Sequence, residues 1–296
     1  MPLYVRHLPG RCGALIDAKG LPPNVACFNP SKAGAYIYIR VTEHQATHES
    51  NRILLFHEPS KRLLNTAYEM ADLAPTVNLF RGLEDLRLAC SDGDERLWFT
   101  ATCTHASSHM TNEMVLGRIS ADAARVERFN VVDIGSRPVK NVVPFCRDGA
   151  VALLDIYKSK IYHIRDDTEA PVPRYVIERT QDIVWPSPGQ AGLYRGSTSP
   201  VPLHGNLWGC VVHDIIFDDN SDLVRRLSYL HHWVEMDIER GAVTFVSTPF
   251  WVAHWGIEYV SGLEVSPDGR ARLFLGVQDA GAVVCETTLY DLRVGK

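Results

Sequence analysis

Four segments of the chain repeat one layout: a short strand, a turn bearing glycine, then an apolar strand. They are EDLRLACSDGDERLWFTAT from Glu84, KNVVPFCRDGAVALLDIY from Lys140, STSPVPLHGNLWGCVVHDI from Ser197 and SGLEVSPDGRARLFLGVQD from Ser261. Their turn glycines, Gly93, Gly149, Gly205 and Gly269, are 56, 56 and 64 residues apart. NPSKAGAYIYIR from Asn29, with Gly34 at its turn, is a fifth and more degenerate copy. Short runs rich in β-branched and aromatic residues, such as AYIYIRV, RILLFH and RLWFTATC, fit strands rather than helices. Turn signals separate them, among them SDGD at 91–94 and PDG at 267–269. Periods of roughly 40–60 residues holding several strands each predict propeller blades, four-stranded sheets packed radially about a channel. The expected fold is all-β, a single five-bladed β-propeller over residues 1–296. A β-sandwich with coincidental turn spacing is the alternative. The Pro-rich WPSPGQAGLY at 185–194 reads as an inter-blade loop, not a domain boundary.

Composition narrows the function classes. The chain carries 30 basic and 35 acidic side chains, a net charge of −5, with no basic block. That argues against nucleic acid and against anionic membranes as partners. An anionic ligand would need a local group of cations. The N-terminal MPLYVRHLPGRC has no apolar core of a signal peptide, and no run reaches the roughly 18 apolar residues of a membrane helix, so a cytoplasmic location is expected. The seven cysteines are scattered with no CxxC pair, which predicts free thiols in a reducing compartment and no zinc site.

In a propeller the innermost strand of each blade lines the channel, so polar residues at the start of each repeat converge. Those residues are Asn29, the Glu84-Asp85-Leu86-Arg87 run, Lys140-Asn141, Ser197-Thr198-Ser199 and Glu258. Burying so many without a ligand or mutual pairing is costly. In GLEDLRL, a regular strand puts Asp85 and Arg87 on one face and Glu84 on the other unless the strand start is bulged. An inter-blade salt bridge is the purely structural account of this group.

GLEDLRL resembles the Gly-x-Glu-Asp-Pro-Arg motif of glycoside hydrolase family 130, the inverting β-mannoside phosphorylases; glycosyltransferase family 108 shares that fold. Other segments agree in the same order. FNPSKAGAYIYIR resembles the first-blade Asn-Pro segment ending in an Arg strand, here Arg40; VKNVVPF resembles Glu-Lys-Asn-Trp-x-Pro-Phe. GSTSPV resembles Gly-x-x-Pro-Pro, and GIEYVSGLEV with LFLGVQDA resembles the last blade. The resemblance spans about residues 28–285. Leu86 stands where the motif has proline, Val139 where it has Glu, and Ser199 where it has the first of two prolines. Of the fourth-blade Tyr-His-Gly, the nearest match is Tyr229-Leu230-His231-His232.

The resemblance implies an inverting phosphorolysis of β-mannosides or similar glycosides, or the reverse transfer from a sugar 1-phosphate. Asp85 matches the proton donor. Asn29, Arg40, Glu84, Arg87, Asn141, Ser199, Glu258 and Asp279 match or neighbour sugar-binding positions. Lys140, Lys158 and His231, or its neighbour His232 in place of His231, are the expected phosphate-binding group. Inorganic phosphate would be a co-substrate, with no other cofactor and no metal. The expected partner is an oligosaccharide or sugar phosphate, and a homo-oligomer is compatible with the sequence. Trp251, Trp255 and Tyr259 could offer apolar platforms to a pyranose. A hydrolase or transferase of altered chemistry, and a non-catalytic glycan-binding propeller, are the competing readings.

Overall fold

The computed structural model describes residues 5–15, 25–44, 49–60, 62–64, 79–90, 96–105, 112–120, 125–135, 140–171, 173–218 and 226–294. Two short N-terminal strands, β1 (Arg6–His7) and β2 (Arg11–Ala14), precede five sheets. Blade 1 is an antiparallel meander of β3 (Val25–Ala33), β4 (Tyr36–His44), β5 (Glu49–His57) and β6 (Arg62–Leu64). Blade 2 follows the same order with β7 (Leu79–Cys90), β8 (Arg96–His105), β9 (Asn112–Ser120) and β10 (Arg125–Val131), and blade 3 with β11 (Val143–Arg147), β12 (Ala150–Asp155), β13 (Lys160–Asp167) and β14 (Arg174–Asp182). In blade 4 the innermost strand is split into β15 (Arg195–Gly196) and β16 (Val201–His204). Both pair with β17 (Leu207–Asp218), and outside it lie β18 (Arg226–Asp237), β19 (Ala242–Val246) and β20 (Phe250–Trp251). Blade 5 is β21 (Glu258–Val265), β22 (Arg270–Val277) and β23 (Gly281–Thr288), completed at its outer edge by β2, before a short helix α1 (Leu289–Arg293). The expected five-bladed propeller is therefore present.

The apolar runs are continuous because each blade is covered on both faces. Along β12, Val151 and Leu153 pack toward blade 2, while Ala152 and Leu154 pack toward blade 4. Five such clusters lie between neighbouring blades, the fifth joining Cys27, Ile37 and Ile39 of blade 1 to Phe274 and Ala282 of blade 5. Sequence period alone could not separate this two-sided burial from a sandwich core.

The seam between blades 5 and 1 closes the ring. Ser261 Oγ donates to Pro30 O at 2.8 Å. The almost fully buried Lys32 reaches Glu58 at 3.2 Å, and Arg272 binds Glu58 and Glu264. Such a network is favourable because each buried charge finds an opposite one. The N-terminus reinforces closure: β1 pairs in parallel with β20, and β2 lies antiparallel to β23 with Cys12 opposite Cys285. All seven cysteines are free thiols.

Packing within blade 4 is tight enough to require glycine at Gly209 of β17. A Cβ there would lie 2.2 Å from the ring of the buried Trp233. Gly209→Ala is expected to lower stability by about 1–3 kcal/mol through overpacking. The check is a lower urea midpoint at unchanged slope.

Gly34, Gly149, Gly205 and Gly269 sit, with positive φ, at the turns joining each innermost strand to the next. They therefore mark the end of the channel opposite the starts of those strands. Gly93, with the rest of SDGD, lies outside the described residues, as does Val139. Among the described residues, no helix is long and apolar enough to cross a membrane.

Candidate active site

The site is built from one recurring irregularity. Asn29, Asp85, Asn141, Ser197 and Ser261 follow one another at intervals of 56, 56, 56 and 64 residues, one per blade. Each sits on or beside its innermost strand where regular pairing breaks. The register shifts between Phe28 and Ser31, between Glu84 and Arg87, and between Val260 and Gly262. In blade 4, Ser197 lies in the gap between β15 and β16. Asn29, Asp85 and Asn141 have φ of 49°, 51° and 64°. Asn and Asp tolerate this left-handed region better than other non-glycine residues. A bulge re-aims side chains, and here it turns polar groups toward the channel.

The bulge also answers the Glu84 question. Glu84 and Asp85 do not diverge: Arg40 lies 3.2 Å from Asp85 Oδ1 and 3.8 Å from Glu84 Oε2. Arg40 is itself laid over the Phe28 ring at 4.9 Å. Asn29 Nδ2 donates to the same Asp85 Oδ1 at 3.1 Å. Oδ2 accepts no hydrogen bond from the described residues. Burial works to raise the Asp85 carboxyl, but Arg87, Arg40 and Lys140, with the Asn29 hydrogen bond, hold it below the usual carboxylate range. Asp85 is thus ionised at neutral pH.

Arg87 spans the channel. It is 1% exposed, donates from Nε to Ser197 O at 2.8 Å and from Nη1 to Leu86 O at 3.0 Å, and stacks on Tyr259 at 4.7 Å. Its buried Nη2 has no hydrogen-bond partner among the described residues. The Tyr259 hydroxyl, pushed up to about 12 chiefly by burial, lies 2.8 Å from Asn141 Oδ1 and 3.1 Å from Gly196 O. Ser197 Oγ lies 2.8 Å from Nδ1 of the buried His213, whose ring meets Tyr229 and Tyr259 edge-on at 5.3 and 5.0 Å. Burial, then the charges of His231, Arg195 and Arg87, push His213 well below its ordinary value, so it is neutral.

The expected residues divide into two groups. Asn29, Arg40, Glu84, Asp85 and Arg87 come together, and exposed Lys140 lies close enough to act electrostatically on Asp85. Asn141 joins through Tyr259, and Asp279, exposed in the β22–β23 turn at φ 50°, acts on Tyr229 as Asp85 does.

The other four expectations are corrected. Glu258 is fully buried. Its carboxylate accepts the backbone N–H groups of Val252, Ala253 and His254 at 2.5–2.9 Å, so it anchors the segment before β21 rather than a sugar. The longer last step of the repeat shifts the blade 5 position to Ser261. His231 is also fully buried, 3.5 Å from Glu258 and against Phe250, out of reach of phosphate. Its neighbour His232 faces the other way, onto Ser247 O and Tyr194. Lys158 is committed to the buried Asp155, 3.5 Å away, which also accepts the Lys158 backbone N–H. Ser199 lines a cavity of about 230 Å³ at the opposite end of the innermost strands, with Lys32, Cys90 and Glu264. Among the described residues, no three His, Cys, Asp or Glu side chains gather as a metal site.

Sequence reasoning missed His213 and Arg195, and named Tyr229 only within the Tyr229-Leu230-His231-His232 match. The first was legible in outline: it lies on the strand that follows the Ser197 segment, whereas His231 is one strand further from the channel. Arg195 carried no signal beyond residue type.

No protein-family model matches the chain, and no curated protein does. Solved structures do. A β-1,2-mannobiose phosphorylase from Listeria innocua, in complex with β-1,2-mannobiose, is 13% identical with a TM-score of 0.62, over 94% of this chain and 95% of that one. MPT-4, a mannose phosphorylase from Leishmania mexicana in complex with phosphate ion, is 15% identical at 0.61, over 93% and 87%. MPT-1, a GDP-Man-dependent mannosyltransferase from the same organism, is 14% identical at 0.62, over 94% and 90%. At these identities the likeness establishes a shared fold.

Proposed function

We propose that the chain is a carbohydrate-active enzyme that moves a mannosyl or similar glycosyl group between a β-glycoside and phosphate. The observation that carries this reading is Asp85, aimed into the channel by a bulge and ringed by Arg40, Arg87, Lys140 and Asn29. A carboxylate with one open oxygen can pass a proton to a leaving oxygen, directly or through a sugar hydroxyl. The surplus cations suit an anionic nucleophile or leaving group. In the forward direction a phosphate oxygen bonds to C1 from the face opposite the leaving oxygen, the glycosidic bond breaks, and the leaving oxygen takes up a proton. An anion bound among the cations offsets their field, so Asp85 gains a proton more readily as the site fills. The fold shared with phosphorylases and a mannosyltransferase supports this reading.

The test is incubation with β-1,2-mannobiose and other manno-oligosaccharides, with and without inorganic phosphate. Sugar 1-phosphate formed only with phosphate is the expected result. Release of free sugar without phosphate would identify a hydrolase instead. Sugar binding by calorimetry with no turnover, in either direction or on a nucleotide-sugar donor, would identify a binding module.

A further inference from the structure

We propose that Arg195 is the anion-binding arginine of the channel mouth, holding with Lys140 an inorganic phosphate or the phosphoryl group of a sugar phosphate. The proposal rests on the phosphate-dependent reading above. Two of the three expected phosphate ligands are committed elsewhere, His231 to the blade 4–blade 5 core and Lys158 to Asp155. Arg195 supplies what they do not. It is exposed on β15, directly opposite His213 in the β15–β17 pair. Residues opposed in an antiparallel pair share a face, so Arg195 stands on the face that carries His213.

Its surroundings place it at the site. The His213 ring is 5.3 Å from Tyr229, and the charges of both Arg195 and Asp85 act on Tyr229. The chain neighbour of Arg195, Gly196, accepts from the Tyr259 hydroxyl, which also bonds Asn141, so Arg195 adjoins the channel residues. Its guanidinium carbon lies 5.9 Å from the centre of the Tyr157 ring. No carboxylate among the described residues forms an ion pair with it, in contrast to Arg40, Arg272 and Lys158. Arg87, the other central arginine, is buried and points two donors at backbone carbonyls. The half-buried Asp214 carboxylate feels the charge of Arg195 without forming an ion pair, and the planar fork of Arg195 has the geometry that binds phosphate bidentately. An exposed arginine is ordinary on a protein surface. This one is distinguished by its position opposite His213 and by the Tyr157 ring beside it.

The test is calorimetric binding of inorganic phosphate, mannose 1-phosphate and neutral β-1,2-mannobiose to the wild type, Arg195→Ala, Arg195→Lys and Arg165→Ala. Arg165 is a distant control, on β13 beside Asp167. Arg195→Ala is expected to weaken one or both anions by about tenfold or more, leaving the disaccharide unchanged. Arg195→Lys falls between, and Arg165→Ala matches the wild type. The anion more strongly affected identifies whether the free or the esterified phosphate is held. Equal binding of both anions by the wild type and Arg195→Ala overturns the assignment of Arg195 while leaving the phosphate reading intact, and equal weakening for the disaccharide overturns it too. A wild type that binds neither anion overturns both.

Discussion

Replacing Asp85 with Asn lowers glycosyl-transfer turnover by about 10²–10⁴-fold, the range for loss of a positioned acid. The substitution is chosen because it isolates the proton. Asn occupies the left-handed region readily, as Asn29 and Asn141 do at the matching places in blades 1 and 3. Its amide oxygen can still accept from Asn29 and Arg40, so the variant should fold and bind sugar. The loss should therefore appear in kcat more than in KM. The pH profile is the second readout. Wild-type activity falls as rising pH strips the proton from Asp85 in the loaded site, and that basic limb disappears from the residual activity of the variant. Asp85→Asn should also flatten acid unfolding. The native carboxyl is held below its usual range, so its contribution to stability is present above the unfolded value and fades as pH falls through the native one. The variant has nothing to protonate there. Unchanged turnover in Asp85→Asn would remove Asp85 from the acid role.

The second large effect is on stability. Glu258→Ala should cost about 3 kcal/mol or more, the scale for leaving several largely buried hydrogen-bond donors without their acceptor. Three backbone N–H groups at 252–254, that of Val252 buried, lose their acceptor, and the buried His231 loses its neighbour. Denaturant unfolding checks it. Glu258→Gln keeps an oxygen for the loop and should cost less. Burial pushes the Glu258 carboxyl up, but His231 and the backbone donors outweigh this and hold it below its ordinary value. Its contribution is complete above the ordinary Glu range and is lost as pH falls through the native value. The Gln variant should lack that acid-side loss. A cost near zero for Glu258→Ala would mean that the segment before β21 is held by other contacts.

The outline of the site was legible in the sequence because it shares the period of the fold. Asp85, Arg87 and Lys140-Asn141 were found by counting along the repeat. Glu258 was taken three residues ahead of the position that the repeat marks, Ser261, where the bulge falls. His231 and Lys158 were chosen for residue type near the right strands. Only packing shows that one is walled in by Phe250 and Glu258 and the other is neutralised by Asp155.

By itself, then, the sequence determined the five-bladed propeller and the polar residues that blades 1 to 4 send toward the axis. Both follow from local rules: strand-forming runs, glycine turns, and a bulge that Asn and Asp accept. The tertiary structure alone decided which charges remain available. Arg40, Arg87 and Lys140 come from three different blades or strands, and Arg195 from a fourth blade; their partners are set by contacts between segments far apart in the chain. Whether a cation is spent on a carboxylate or left facing the channel depends on those distances, and no spacing along the chain encodes them.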